Sequence, residues 1–296
     1  MKPFLQVVMF FAITQIVGIY AGAVLTNEAL SNADMLNFSV APMQNANDPL
    51  NALFFIVYIV VGAVGMIFLA RHYKGMLLFQ LLETMIIFSA STIVFFTICL
   101  SFLQMDFVTA LLVGSALGLL LAAAKFVNAE VKNTAAVISS AGVGALFGFS
   151  LGFLPITIFI ILLSVYDYIA VFKTKHMIEM ARELSTRNLS FAITAKNIPA
   201  RKPSEKTEAY VERAMNEGER MDLGTGDLSV PAMISVSAYA LGPNGLLYAI
   251  AVAIGSTVSL FFMLKFVSER RVFLPALPPI CLGGMLALLI VKLAGF

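Results

Sequence analysis

The sequence has few of the residues that bind metals or form disulfide bonds. It contains only two histidines, His72 and His176, whereas a histidine-based zinc site needs two or three clustered ligands. Its two cysteines, Cys99 and Cys281, both fall within long apolar runs. They predict two buried thiols rather than a disulfide framework or a paired-thiolate metal site. The sequence therefore does not indicate a metalloprotease, and no cofactor is needed to explain it.

Charged residues are also scarce. They make up 12% of the 296 residues, against 60% that are hydrophobic, and soluble proteins carry about 25% charged residues. The mean hydropathy is +0.93. The apolar runs are long and lack the alternation of a membrane β-barrel, so we predict an all-α membrane protein. The net charge of +2 arises from charges confined to a few loops and does not indicate nucleic acid binding.

About 20 apolar residues are needed to cross a hydrocarbon core of about 30 Å, and on this basis the sequence divides into nine transmembrane spans. Their predicted bounds are 4–25, 51–70, 76–103, 107–124, 133–149, 154–173, 222–241, 245–266 and 274 to the C-terminus. We group them as a scaffold of helices one to five (1–150), helices six and seven with a cytoplasmic loop at 174–221 (151–242), and helices eight and nine (243–296). The third span is the longest predicted helix. Within the loop, 177–184 favours a short helix and 196–204 an irregular connection.

The basic residues predict the orientation of these spans, because loops that hold Lys and Arg stay cytoplasmic. With nine spans, 18 of the 19 lysines and arginines fall on one side, and only Lys292 lies on the other. This segregation places the N-terminus in the cytoplasm and the C-terminus outside. The predicted location is the cell membrane, as a multi-pass protein.

Two carboxylates lie inside otherwise apolar spans. Asp167 lies in 154–173 and Asp227 in 222–241, and an ionised carboxylate at membrane depth costs several kcal/mol or more. The two spans are consecutive and antiparallel, so both side chains lie about 8 to 9 Å below the same membrane surface. Residues of this kind serve as contacts between helices, as parts of ion pathways or as catalytic groups, and the carboxylates alone do not separate these interpretations.

A pair of neighbouring aspartates can hydrolyse a peptide bond without a metal. Both cannot ionise cheaply, so one keeps its proton while the other acts as a base. The ionised carboxylate takes a proton from water, and the protonated one polarises the peptide carbonyl. Gly224 and Gly226 precede Asp227 and, lacking side chains, allow a substrate backbone to approach closely.

A third motif opens the ninth span. Residues 274–279 contain three prolines around Pro275-Ala276-Leu277, and prolines at a helix start leave backbone groups without partners inside the helix. With Tyr-Asp at 166–167, Gly-Thr-Gly-Asp at 224–227 and Pro-Ala-Leu at 275–277, in that order, the sequence resembles the presenilin and signal peptide peptidase family of intramembrane aspartyl proteases. The segment 172–177 is similar to archaeal presenilin-type members.

The resemblance implies a nine-helix presenilin-like fold, no cofactor, and catalysis by Asp167 and Asp227. The predicted orientation is that of presenilin. The position of Thr225 is one that is thought to influence substrate choice, and Tyr166 could hydrogen-bond near the site. The residues expected to contact the substrate are Pro275, Ala276, Leu277, Gly224, Thr225, Gly226 and Tyr166. The expected partners are transmembrane-helix proteins as substrates, the lipid bilayer, and a second copy of the chain if a homo-oligomer forms.

Two other readings of the carboxylates stay open at this point. A cation channel or proton-coupled transporter could use the same residues, although it would favour further intramembrane acids and the sequence shows no internal repeat. A prepilin-type peptidase would share the Gly-X-Gly-Asp motif but not Pro-Ala-Leu. Apart from Asp222, where the seventh span begins, Glu83 is the only other acid inside a span, and we expect it to pair with a polar or basic neighbour on an adjacent helix.

Overall fold

The computed structural model describes residues 2–31, 35, 39–43, 45–72, 77–128, 131–169, 192–197, 219–270 and 275–295. These ranges contain nine helices and two strands. The helices are α1 Pro3–Ser31, α2 Leu50–His72, α3 Leu77–Ser101, α4 Phe107–Val127, α5 Val131–Ser150, α6 Phe153–Ile169, α7 Thr225–Tyr239, α8 Gly245–Arg270 and α9 Leu277–Leu293; the strands are β1 Ala192–Asn197 and β2 Glu219–Gly224.

Each predicted span overlaps one of these helices. Five of them (α1, α3, α4, α5 and α8) are long and apolar enough to cross a membrane. Helices α2, α6 and α9 provide shorter apolar stretches, of 17 residues or fewer. The chain is therefore a multi-pass membrane protein. The expectation that the third helix is the longest was wrong, since α1 has 29 residues and α3 has 25. The number of spans that cross the membrane and their orientation stay predictions.

The two strands were not predicted. β1 and β2 pair antiparallel, with Thr194 opposite Asp222. The prediction of an irregular connection at 196–204 was wrong for its first two residues, which belong to β1. Helix α7 begins three residues later than predicted, because residues 222–224 belong to β2. These segments form strands because alternate side chains are buried: Ile193, Ala195 and Leu223 all pack in an apolar cluster with residues of α1, α5, α8 and α9. The helix expected at 177–184 lies outside the described residues.

Helix α7 lies at the centre of the bundle, and its residues 228–238 are all buried. Glycines of α1 and α5 let these helices approach it closely. A Cβ atom at Gly22 would lie 2.2 Å from Val236 Cγ1, and one at Gly144 would lie 2.5 Å from Ala232 Cβ. At Gly148 the distance to Val236 Cβ would be 2.6 Å. Small residues therefore hold α7 between two neighbours, as is typical of helix packing in membranes.

Glu83 on α3 forms a buried ion pair with Lys125 on α4. The prediction that Glu83 pairs with a basic or polar group on an adjacent helix is confirmed. The fourth span was predicted to end at residue 124, before Lys125, but α4 continues to Val127, so this lysine lies in the last helical turn. The pair joins α3 and α4 away from the two aspartates.

Candidate active site

Asp227 lies in the first turn of α7. Gly224 is the N-cap residue with an extended backbone, and it offers no side chain to cap the helix. The Asp227 carboxylate instead accepts a hydrogen bond from the backbone N–H of Gly224. This is one half of a capping box, in which the third helical residue reaches back to the N-cap N–H. The carboxylate is thereby held at the positive end of the helix dipole.

Asp167 lies near the end of α6 and is buried, with 6% of its surface exposed. Its carboxylate accepts a hydrogen bond from the backbone N–H of Leu277, the first residue of α9. The next two residues, Pro278 and Pro279, have no N–H. Leu277 therefore carries the only N–H among the first three positions of this helix, and Asp167 accepts its hydrogen bond.

The two aspartates interact electrostatically across the α6–α7 interface. Cys281, one turn beyond Leu277 on α9, is buried and lies within the electrostatic influence of both carboxylates. Three helices thus contribute to one site: α6 and α7 each supply a carboxylate, and the start of α9 supplies a backbone donor. The sequence reasoning did not connect Cys281 with this site.

The other predicted site residues differ in their burial and in the space around them. A Cβ atom at Gly224 would lie 3.3 Å from Asp227 Oδ2, whereas one at Gly226 would meet nothing within 4 Å. Pro275 is buried, and Thr225 and Ala276 are partly buried. Tyr166 is 56% exposed, because it precedes Asp167 by one residue and so lies on a different face of α6.

Two polar side chains that position these elements were missed. Gln15 of α1 is 1% exposed; its Nε2 donates to Leu228 O at 3.2 Å, and its Oε1 accepts from Ser235 Oγ at 3.3 Å. Asn133 of α5 hydrogen-bonds the backbone of β1 at Thr194. The available signal for Gln15 was a polar residue inside an apolar span. Among the described residues, no cluster of His, Cys, Asp or Glu could hold a metal ion.

Comparison with known proteins identifies the family. Residues 11–295 match the family model described as "Signal-peptide peptidase, presenilin aspartyl protease". The chain belongs to this family. It is therefore an intramembrane aspartic endopeptidase, and the resemblance found in the three motifs is confirmed. The alternative of a channel or transporter is not favoured. No curated protein matches the chain.

Solved structures show the presenilin-type fold. Two crystal forms of a presenilin family intramembrane aspartate protease, in space groups C222 and P2, are similar to this chain with TM-scores of 0.67 and 0.65. Their sequence identities are 24% and 23%, and each comparison covers 99% of both chains. These comparisons support the presenilin-like fold predicted for the helices.

Proposed function

We propose that Asp167 and Asp227 are the catalytic pair of this protease, and that they hydrolyse peptide bonds within transmembrane helices of other proteins. The observation that carries the proposal is the meeting of two carboxylates from different helices, each with a backbone N–H as partner. A carboxylate inside a helical bundle is costly. Two that lie close enough to interact electrostatically, in a chain of this family, are best explained by a shared chemical task.

The reaction needs only the pair and one water molecule. The ionised carboxylate takes a proton from water, the oxygen attacks the peptide carbonyl carbon, and the protonated carboxyl gives its proton to the carbonyl oxygen. The result is a tetrahedral diol. The roles then reverse: the newly ionised carboxylate takes a proton from one diol hydroxyl, the other carboxyl protonates the leaving nitrogen, and the carbon–nitrogen bond breaks. One acid and one amine are released, and no covalent intermediate forms.

The two backbone donors support this chemistry by orienting the carboxylates. Leu277 N–H fixes one side of Asp167, and Gly224 N–H fixes one side of Asp227. Each carboxylate retains further acceptor positions for water, substrate or the other aspartate. Since one member must be protonated and the other ionised, activity should fall at low pH and at high pH. The two apparent pKa values of this profile describe the pair and not the individual aspartates.

A transmembrane helix must unwind before it is cut, and its exposed backbone groups then need partners that hydrocarbon cannot supply. We assign this task to the strand that ends at Gly224 and to the start of α9 at Pro275, Ala276 and Leu277. Their backbone groups that are not bonded to Asp167 or Asp227 would pair with an extended substrate by strand addition. Gly226 leaves room for the substrate backbone, and Thr225 faces the substrate as a specificity position. Tyr166 would contact it from α6.

The test is cleavage of a single-helix membrane protein by the purified chain in lipid vesicles. Asp167→Asn and Asp227→Asn should each abolish cleavage. Each variant should still insert into the membrane and purify, with little change in thermal stability. Asp48→Asn is the matched control, because Asp48 is a partly buried acid whose side chain accepts from Leu50 N–H, and asparagine keeps that acceptor. Full activity in either active-site variant would refute the assignment.

The proposal includes the topology inferred from the basic residues. Nine spans with a cytoplasmic N-terminus place both aspartates near the cytoplasmic face. The enzyme then cuts its substrates toward that side of the membrane.

A further inference from the structure

Asn133 makes two hydrogen bonds to a single residue of β1. Its Nδ2 donates to Thr194 O at 2.9 Å, and its Oδ1 accepts from Thr194 N at 3.0 Å. In an antiparallel strand the N–H and C=O of one residue point to the same side. Both groups of Thr194 therefore point away from β2, and the Asn133 amide takes the place that a residue of a third strand would occupy.

The contact between Thr194 and Asp222 agrees with the conclusion that the backbone groups of Thr194 point away from β2. Thr194 lies opposite Asp222 in the register, and Thr194 Oγ1 donates to Asp222 Oδ1 at 2.6 Å. Side chains approach closely at pairs that do not exchange backbone hydrogen bonds. Gly224 has the same parity as Asp222, so its N–H also points away from β1, and it is donated to the Asp227 carboxylate. The outer edge of β2 therefore faces the candidate catalytic carboxylate.

We propose that Asn133 is a positioning residue that determines where the substrate is cut; this rests on the proposed function. By occupying the outer edge of β1 at its centre, Asn133 directs an added substrate strand to β2. It also fixes the register of the β1–β2 pair. Burial of Ile193, Ala195 and Leu223 prevents a slip of one residue, which would turn these side chains away from the core.

A slip of two residues would keep the same faces buried, so alternation alone does not prevent it. Such a slip moves one strand by about 6.6 to 6.8 Å along the other. Asn133 binds backbone groups that Ala192 and Lys196 also carry, but the residue it holds is Thr194, whose hydroxyl donates to Asp222 Oδ1. A slip of two residues would break this cross-strand hydrogen bond, so Asn133 and the Thr194–Asp222 contact together favour the observed register. Asn133 thus anchors β1, β1 holds β2, and the position of β2, which leads directly to Asp227, sets which substrate peptide bond reaches the carboxylates.

The experiment measures cut positions by mass spectrometry, with the full chain in lipid vesicles and a single-helix substrate at saturating concentration. Asn133→Ala should lower the ratio of the main product to products displaced by two residues by about tenfold, equivalent to about 1.4 kcal/mol. Thr134→Ala, at the neighbouring exposed position of α5, is the control and should keep the wild-type ratio. A loss of stability alone changes the amount of active enzyme but not this ratio.

Asn133→Asp is the second variant, for use if Asn133→Ala does not fold. It has nearly the same shape but places a carboxylate oxygen against Thr194 O in place of the donor, so it should also redistribute the cuts. A wild-type product ratio in whichever variant folds would overturn the inference. That outcome is distinguishable from failure of the proposed function, which would appear as cleavage by Asp167→Asn or Asp227→Asn.

Discussion

Replacement of Gln15 by leucine removes a contact between α1 and the helix that carries Asp227. Pro231 lies inside α7 and has no N–H, so the carbonyl of Asp227, four residues earlier, loses its helical donor. In the next position, Leu228 O accepts from Gln15 Nε2. The glutamine thus supports α7 one residue beyond Asp227, the proposed catalytic residue, at the point where proline weakens the helix.

The structure sets the size of the expected effect. Hydrogen bonds between helices in membranes average about 0.6 kcal/mol and reach about 1.7, and Gln15 makes two such contacts with α7, at Leu228 and Ser235. We therefore expect Gln15→Leu to lower the free energy of unfolding by about 1 to 3 kcal/mol. A displacement of Asp227 of the order of 1 Å costs about a hundredfold in rate, so kcat should fall by about ten- to a hundredfold.

Gln15 is buried behind α7 rather than at the substrate, so KM should change little. The assay is steady-state cleavage in vesicles, with kcat and KM measured separately and thermal unfolding followed in parallel. Ser235→Ala is the control, because it removes one contact with the glutamine but leaves the bond to Leu228 O in place. It should keep most of the wild-type kcat. Equal kcat values for wild type and Gln15→Leu, at any change in stability, would refute the positioning argument.

Three further predictions concern other parts of the chain. Pro275→Ala should lower activity sharply, since α9 could then extend backward and use backbone groups that we assign to the substrate. Binding of a peptidic analogue should slow amide exchange in the strand that ends at Gly224 and at the start of α9. Normal cleavage by Pro275→Ala together with unchanged exchange in both segments would exclude strand addition. Lys125→Met should destabilise the fold by about 3 to 5 kcal/mol, whereas the double variant with Glu83→Gln should recover most of this loss in thermal unfolding. A cysteine introduced immediately after position 44 should react with membrane-impermeant reagents added outside intact cells, whereas cysteines introduced in 200–216 should not react. The reverse pattern would contradict the predicted topology.

Much of the fold could be predicted because its signals are local. A long apolar run predicts a helix whatever surrounds it, and all nine runs contain one. The motifs at Asp167 and Asp227 were also visible, because a carboxylate in an apolar run requires an explanation. The start of α7 was misplaced by three residues because residues 222–224 follow a strand pattern whose partner lies in another part of a polar loop.

The contacts that position the site were not predictable from the sequence. Gln15 meets a carbonyl 213 residues away, and Asn133 meets a strand 61 residues away. Neither residue belongs to a motif, and a single polar side chain in a helix does not show which helix or strand it contacts. The pairing of Glu83 was predictable in kind, because a buried acid requires a partner, but its partner Lys125 lay just outside the predicted fourth span.

The most direct test of the catalytic pair is an experimental structure with a transition-state analogue, a peptide in which a secondary hydroxyl replaces the scissile carbonyl. The account predicts that this hydroxyl lies between the two carboxylates, with oxygen–oxygen distances of about 2.5 to 3.0 Å to both Asp167 and Asp227. An analogue that inhibits cleavage while its hydroxyl lies beyond hydrogen-bonding distance of either aspartate would contradict the account.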